Sequence, residues 1–337
     1  MNSKVPSIFC TYFDINYLIR GLALHESLSK NCENFTMYVL ALDEQVKTFF
    51  EKNQFGNIIV VEIKDLENFE PRLANLKTER TQIEFIFTLT PILTKYVAQV
   101  SINSTSYIHY VDADIYFYTD FEEYIKLLDD SDVAIVPHNY NILVSKFYRK
   151  YGNFNVGVVS FKKTETSLKT LDWWADSCID WCHDFPDSGR YADQGYLDTF
   201  PSIQSNLKII ENRGVNLAPW NIGFINPFQK DGIIYVHHAV PLIFFHFHGL
   251  KLMGYKVVPN HVQYLSAFRG NTKKYIYTTY ISKLLEISKK YSIPITSSLS
   301  ILNKRNYNNY SIIYRFRFLL TLIYNLITRS YVRIDKL

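Results

Sequence analysis

Short apolar, β-branched runs alternate with segments of helical apolar spacing through the first third of the chain, and this alternation limits the folds open to it. "VPSIFCTYFD" reads as a strand. "NYLIRGLALHESLSKN" follows with Leu18, Leu22, Leu24 and Leu28 at helical spacing. "FTMYVLALD" and "NIIVVEI" are further strands, separated by the short helix "EQVKTFFEKN". "TQIEFIFTLTPILTKYVAQ" is a long apolar helix with Pro91 placed to kink it, and "SYIHYVDAD" is the fourth strand. A βαβα order predicts a parallel sheet with helices on both faces, the Rossmann-like α/β class. Such sheets bind ligands beyond the carboxyl ends of their strands. Past Asp120 the pattern loosens into short strands ("DVAIVP", "NVGVVSFK", "KIIENRG", "VPLIFFHFHG") and two helices ("KTLDWWADSCIDWC", "KKYIYTTYISKLLEISKKY").

The rest of the composition works mainly by exclusion. With 47% apolar and 20% charged residues the chain is a folded globular protein, one large domain or two small ones. Its 26 Tyr and 24 Phe are too many and too dispersed to single out a site. Of four cysteines only Cys178 and Cys182 are close, one helical turn apart, and no second pair completes a zinc site. No Gly-rich phosphate loop is present, so any nucleotide is held by other means. The start "MNSKVPSIFC" contains no long apolar run and no stretch reaches a membrane span, so the expectation is a cytoplasmic protein. The net charge is +4, yet residues 301–337 hold seven basic side chains against one acid, Asp335. The remainder is slightly acidic, which argues against a nucleic-acid binder and leaves a basic tail to explain.

The stretch "YIHYVDADIYFY" places Asp112 and Asp114 at the end of an apolar strand. In extended backbone, residues two apart point to the same side, so the two carboxylates are expected side by side. Like charges that close raise a pKa and cost stability. A hard divalent cation, Mg²⁺ or Mn²⁺, removes the conflict and brings a diphosphate with it. The plain alternative is one aspartate capping a turn and the other solvated.

"YIHYVDADIYFY" resembles the Asp-x-Asp segment of GT-A glycosyltransferases, in particular those similar to glycosyltransferase family 8. "FNVGVVSFK" is similar to that family's later Asn-x-Gly strand, "YADQGYLD" to its Asp-Gln segment, and "FFHFHGLK" to its late His-Phe-x-Gly segment. "FCTYFDINYLIRGLALHESL" resembles its nucleotide-binding first strand and helix. The resemblance spans roughly residues 7–255 and rests on the order of short motifs. It implies a GT-A domain over residues 1–265, followed by a helical extension over 266–337 with a basic amphipathic tail.

The resemblance assigns Asp112 and Asp114 to the metal, with His246 as third ligand and His248 as its rival. An imidazole in the set favours Mn²⁺ over Mg²⁺. Two buried, hydrogen-bonded histidines are the alternative. Thr11, Tyr12 and Asp14 fall where the nucleoside sits, Arg80 and Lys251 where a phosphate could be neutralised, and Asn155 and Gly157 beside the donor sugar. Asp193 and Gln194 fall near the anomeric carbon, as positioning groups of a retaining transferase; Asp193 could also be a general base, or a helix N-cap. The family's usual Lys-Pro-Trp element is missing from "HGLKLMGY", which marks a divergent relative. The implied function is metal-dependent transfer of a sugar from a nucleotide-sugar donor to a glycan or lipid-linked acceptor, in the making of a bacterial surface polysaccharide. A nucleotidyltransferase or a non-catalytic sugar-binding protein on the same scaffold are the competing readings. In the tail, Ile313, Phe316, Leu320, Ile323 and Ile327 recur at helical spacing among Arg315, Arg317, Arg329 and Arg333. Such a helix fits peripheral contact with the inner face of a membrane, or packing on the domain.

Overall fold

The computed structural model describes residues 6–101, 107–142, 145–259, 264, 266, 269–299, 319–320 and 323–337. Strands β1 (Ser7–Phe13), β2 (Phe35–Ala41), β3 (Ile58–Glu62) and β4 (Tyr107–Val111) alternate with helices α1 (Leu18–Asn31), α2 (Glu44–Lys52), α3 (Ile63–Phe69), α4 (Leu73–Glu79) and α5 (Gln82–Val100). The short helices α3 and α4 were not legible in the sequence. Caps set several boundaries. Asp43 accepts from Val46 N at the start of α2, and Thr81 with Glu84 forms a reciprocal capping box at the start of α5. Pro91 lies inside α5, which continues on both sides of it.

After β5 (Ile115–Phe117) come α6 (Glu122–Leu128), β6 (Val133–Pro137), α7 (Ser145–Tyr148), β7 (Phe154–Lys162), α8 (Glu165–Asp180), α9 (Phe200–Ile203) and β8 (Leu207–Ile209). The main sheet has the order β3-β2-β1-β4-β7-β6-β8. Its strands are parallel except β7, which runs antiparallel to β4 and β6. The expected α/β architecture with a central, mostly parallel sheet is therefore present, with one reversed strand that the motif order did not reveal.

Side chains alternate across β1, and each face has its own core. Phe9 and Phe13 join α1 and α2 on one face, while Ile8 and Cys10 join α5 and α8 on the other. Cys178 and Cys182 are both free and buried in this second core.

The chain closes with β9 (Phe228–Lys230), β10 (Ile233–Val236), β11 (Val240–Pro241), β12 (Phe244–His246), β13 (Lys251–Met253), β14 (Lys256–Val258), α10 (Thr278–Tyr291), α11 (Ile295–Ser298) and β15 (Val332–Arg333). Helix α10 shares the first core: the ring of Tyr280 stacks on Phe247 with centroids 3.7 Å apart. Strand β15 pairs with β14, and Val332 is buried. Of the tail residues singled out above, Ile313, Arg315, Phe316 and Arg317 lie outside the described residues. Leu320, Ile323 and Ile327 are exposed. Among the described residues no helix is long and apolar enough to cross a membrane.

Candidate active site

A cleft of about 1130 Å³ opens beyond the carboxyl ends of β1 and β4, where a parallel sheet leaves its crevice. Asp112 and Asp114 sit on its floor, but not in a strand. Strand β4 ends at Val111, and both aspartates lie in the turn that leads to β5. The turn is closed by Ile115 N donating to Asp112 O at 3.1 Å, and Asp112 N donates to Gly157 O at 2.9 Å. The expectation of an extended pair is thus corrected: a turn brings the carboxylates to the cleft, not strand alternation.

Antiparallel pairing supplies the histidine. Strand β12 pairs with β5 so that His246 stands opposite Ile115, next to Asp114. His246 Nε2 lies 3.0 Å from Asp114 Oδ1 and 3.6 Å from Asp112 Oδ2. His248, two residues on and exposed, completes a cluster with Asp114 and His246 whose ligand atoms fall within 4.8 Å of one another. The two histidine candidates are therefore neighbours in one cluster. On the far side of His246, Nδ1 meets Asn155 Oδ1 at 3.2 Å. With that hydrogen on Nδ1, the Nε2 lone pair is left facing the carboxylates.

The electrostatics match a charge-deficient site. Burial raises the Asp112 carboxyl above its usual range, and the neighbouring Asp114 adds to the rise. Asp114 behaves oppositely: against burial, His246 and then Arg20 hold its carboxyl well below the usual range. Arg20 is itself 3% exposed, with NH1 3.6 Å from Asp114 Oδ2 and NH2 donating to Leu250 O at 3.3 Å. The converging donors are the Asp114 carboxylate and the His246 and His248 imidazoles, with Asp112 beside them but outside that cluster, a set for a hard to borderline divalent cation such as Mn²⁺. The residues present fit such an ion.

Asn155 ties this cluster to the Asp-Gln segment. Its Nδ2 donates to Gln194 Oε1 at 3.1 Å, and Gln194 Nε2 donates to Tyr151 O at 2.7 Å. Both ends of the Gln194 amide are thereby held. A Cβ on Gly157 would lie 2.5 Å from Asn155 Oδ1 and 2.8 Å from His246 Nδ1, so only glycine lets the imidazole and carboxamide close on this strand. Asp193 lines the cleft and is 5% exposed. Burial, with the charge of Asp112 adding, pushes its pKa up to about 7. It begins a short 3₁₀ turn without capping it through its side chain.

Tyr12 and Asp14 line the cleft at the end of β1. The Tyr12 hydroxyl meets Thr90 Oγ1 at 3.0 Å, and the Asp14 carboxylate accepts from Asn16 Nδ2 and Tyr17 N. Thr11 is fully buried behind them and does not line the cleft. Arg80 is also displaced from its expected place: its guanidinium binds Thr88 Oγ1 and the carbonyls of Cys178 and Ile179. It thus closes the carboxyl end of α8, where orphan carbonyls attract a cation. Lys251 opens β13, half-buried and outside the cleft lining. Sequence reasoning missed Tyr17, 41% exposed in the cleft with the Arg20 guanidinium 4.4 Å from its ring centroid. It also missed the aromatic wall formed by Tyr140, Tyr148, Tyr151, Tyr191, Trp220 and Tyr264. Tyr17 and Tyr191 lie inside stretches quoted above without being marked there, and the other five stand in no motif.

The fold and the cleft define an α/β protein with a cluster of carboxylate and imidazole groups at the end of its sheet. No family model matches the chain. It is 31% identical over 256 residues to the uncharacterised protein YfnF of Bacillus subtilis, a match covering 74% of this chain and 83% of that protein. A second uncharacterised B. subtilis protein, YfnD, is 27% identical over 278 residues, covering 82% and 88%. The chain belongs to the family of YfnF. Similar solved structures include the galactosyltransferase LgtC in complex with donor and acceptor sugar analogues (14% identity, TM-score 0.49, 90% of this chain and 100% of that one). Others are mouse xyloside xylosyltransferase 1 (11%, 0.45, 72% and 98%) and the bifunctional glycosyltransferase WbbM (14%, 0.47, 86% and 52%).

Proposed function

We propose that the chain is a metal-dependent GT-A glycosyltransferase. It moves a sugar from a nucleoside-diphosphate donor to a glycan or lipid-linked acceptor, in the assembly of a bacterial surface polysaccharide. The observation that carries this reading is the convergence of Asp112, Asp114 and His246 on the cleft floor, with Asn155 fixing the imidazole from behind. When bound, Mn²⁺ or Mg²⁺ supplies neutralisation of the leaving diphosphate. Asp112, Asp114, His246 and His248 hold it. Tyr12, Asp14 and Tyr17 receive the nucleoside at the end of β1. Asn155 faces the donor sugar, and Gly157, covered by Asn155 and His246 and outside the cleft lining, leaves them the room to close. Gln194, pinned at both ends, orients the reacting carbon's surroundings, and Asp193 stands beside Asp112 in the same water-poor floor. Positioning of this kind, with little covalent work by side chains, suits a retaining transfer.

The same reading extends to the tail. Leu319, Leu320, Ile323, Leu326 and Ile327 are exposed beside Arg329 and Arg333, which suits peripheral contact with an anionic membrane carrying the acceptor. The test of the proposal is a thermal-shift screen of nucleotide sugars with and without Mn²⁺. One donor should raise Tm only when the cation is present. A donor shift that ignores the cation would contradict the metal assignment.

A further inference from the structure

Arg20 occupies a place that charge and burial both disfavour. It lies in the first turn of α1, where the helix dipole favours an acid, and it is 3% exposed. An arginine is almost never buried so far without partners. The next residue, Gly21, sets its depth: a Cβ there would collide with the Phe13 ring, so glycine lets α1 press on β1 and brings the guanidinium in beside Asp114. From there it reaches three segments far apart in the chain. NH1 lies 3.6 Å from Asp114 Oδ2, NH2 donates to Leu250 O at 3.3 Å, and the group lies over the Tyr17 ring, 4.4 Å from its centroid.

The Asp114 carboxylate is thereby divided. Oδ2 faces Arg20, and Oδ1 faces His246 Nε2 at 3.0 Å. The main chain is held as well, because Asp114 O accepts from Phe247 N at 2.8 Å. Leu250 follows His248 by two residues, so the same guanidinium steadies the segment that carries both imidazoles. A planar fork can hold a carboxylate, a carbonyl and an aromatic face together, which an ammonium on a flexible stem cannot. A tie that served folding alone would end at α1 and the floor. Here the guanidinium also carries Tyr17, which is 41% exposed and lines the cleft, so a displacement of that ring is felt at Arg20 and through it at Asp114.

We propose that Arg20 is a positioning residue: it turns the Asp114 carboxylate toward the cation and couples that setting to Tyr17, so that the nucleoside end and the cation end of the cleft are linked through one guanidinium. The proposal rests on the transferase reading for the words nucleoside and cation. The test measures the Mn²⁺ affinity of the full-length protein by electron paramagnetic resonance, with no nucleotide present. Arg20→Lys keeps the charge but loses the fork, and should bind Mn²⁺ about tenfold more weakly, as for the loss of an orienting group. Tyr17→Leu should weaken Mn²⁺ binding several-fold in the native background and not at all in Arg20→Lys, while Tyr17→Phe should bind like the native protein. A role in folding alone would lower Tm and leave the Mn²⁺ affinity of the folded variants unchanged, and that result overturns the proposal. So does an equal effect of Tyr17→Leu in both backgrounds. If Arg20→Lys does not fold, Tyr17→Leu decides: a several-fold loss supports the proposal and native affinity overturns it. Mn²⁺ binding by the native protein with no change in the variants contradicts this inference alone. No Mn²⁺ binding by the native protein contradicts the cation assignment and this inference with it.

Discussion

His246 Nδ1 meets Asn155 Oδ1 at 3.2 Å, and this contact determines which nitrogen of the imidazole faces the two aspartates. Groups that orient a metal-binding histidine typically matter about 10–100-fold in metal affinity. Asn155→Ala is expected to weaken Mn²⁺ binding by about that factor while leaving the circular dichroism spectrum unchanged. Mn²⁺ titration followed by electron paramagnetic resonance measures it. Unaltered affinity would mean that the imidazole does not reach the cation.

The two aspartates should differ when no cation is present. Asp112 is desolvated and faces a like charge, so Asp112→Asn removes a cost and should leave Tm equal or higher. Asp114→Asn removes the counter-charge beside buried Arg20 and should destabilise by about 3 kcal/mol. Both variants should lose cation-dependent turnover. Urea unfolding in a chelating buffer compares them, and an equal loss of stability would contradict the charge assignment.

Much of this was legible in the sequence, for identifiable reasons. β1, α1, β2, α2, β3 and β4 follow from apolar period alone, because each buries one face or a whole strand. The pair Asp112/Asp114 stood out as carboxylates ending an apolar run, whereas His246 was singled out only through the resemblance of "FFHFHGLK". The turn geometry was not visible, since two aspartates flanking an alanine fit a strand or a turn equally well. Arg80 was misplaced because its partners are the Cys178 and Ile179 carbonyls, some hundred residues away and without side-chain signature. The aromatic wall was hidden by abundance: among 26 tyrosines nothing in the linear order marks Tyr148 or Tyr264.

Buried His109, hydrogen-bonded through Nδ1 to Ser160 Oγ at 2.8 Å, gives a stability prediction. Burial lowers its pKa to about 3, well below the value near 6.5 of an unfolded chain. Above pH 6.5 both states are neutral and nothing changes. As pH falls from 6.5 toward 3 the unfolded chain takes up the proton first, and stability drops by about 1.4 kcal/mol per pH unit. His109→Gln should flatten that slope in urea titrations between pH 6.5 and 4.5. An unchanged slope would place the acid sensitivity elsewhere.

Truncating the tail would also remove β15, which is paired with β14, so point changes are the cleaner probe. Ile323→Asp with Ile327→Asp alters only exposed positions. The double variant should stay folded and sediment several-fold less with anionic vesicles at low salt, where the native chain sediments. Equal sedimentation of both proteins would exclude this face as the contact.

The most direct test of the account is donor breakdown without acceptor. The protein is incubated with a panel of radiolabelled nucleotide sugars, with Mn²⁺ or with chelator, and the products are separated. The account predicts slow release of free sugar and nucleoside diphosphate from one donor, only with Mn²⁺, and none from Asp114→Asn. Pyrophosphate consumption or release instead, or nucleoside diphosphate release that persists in chelator, would contradict it.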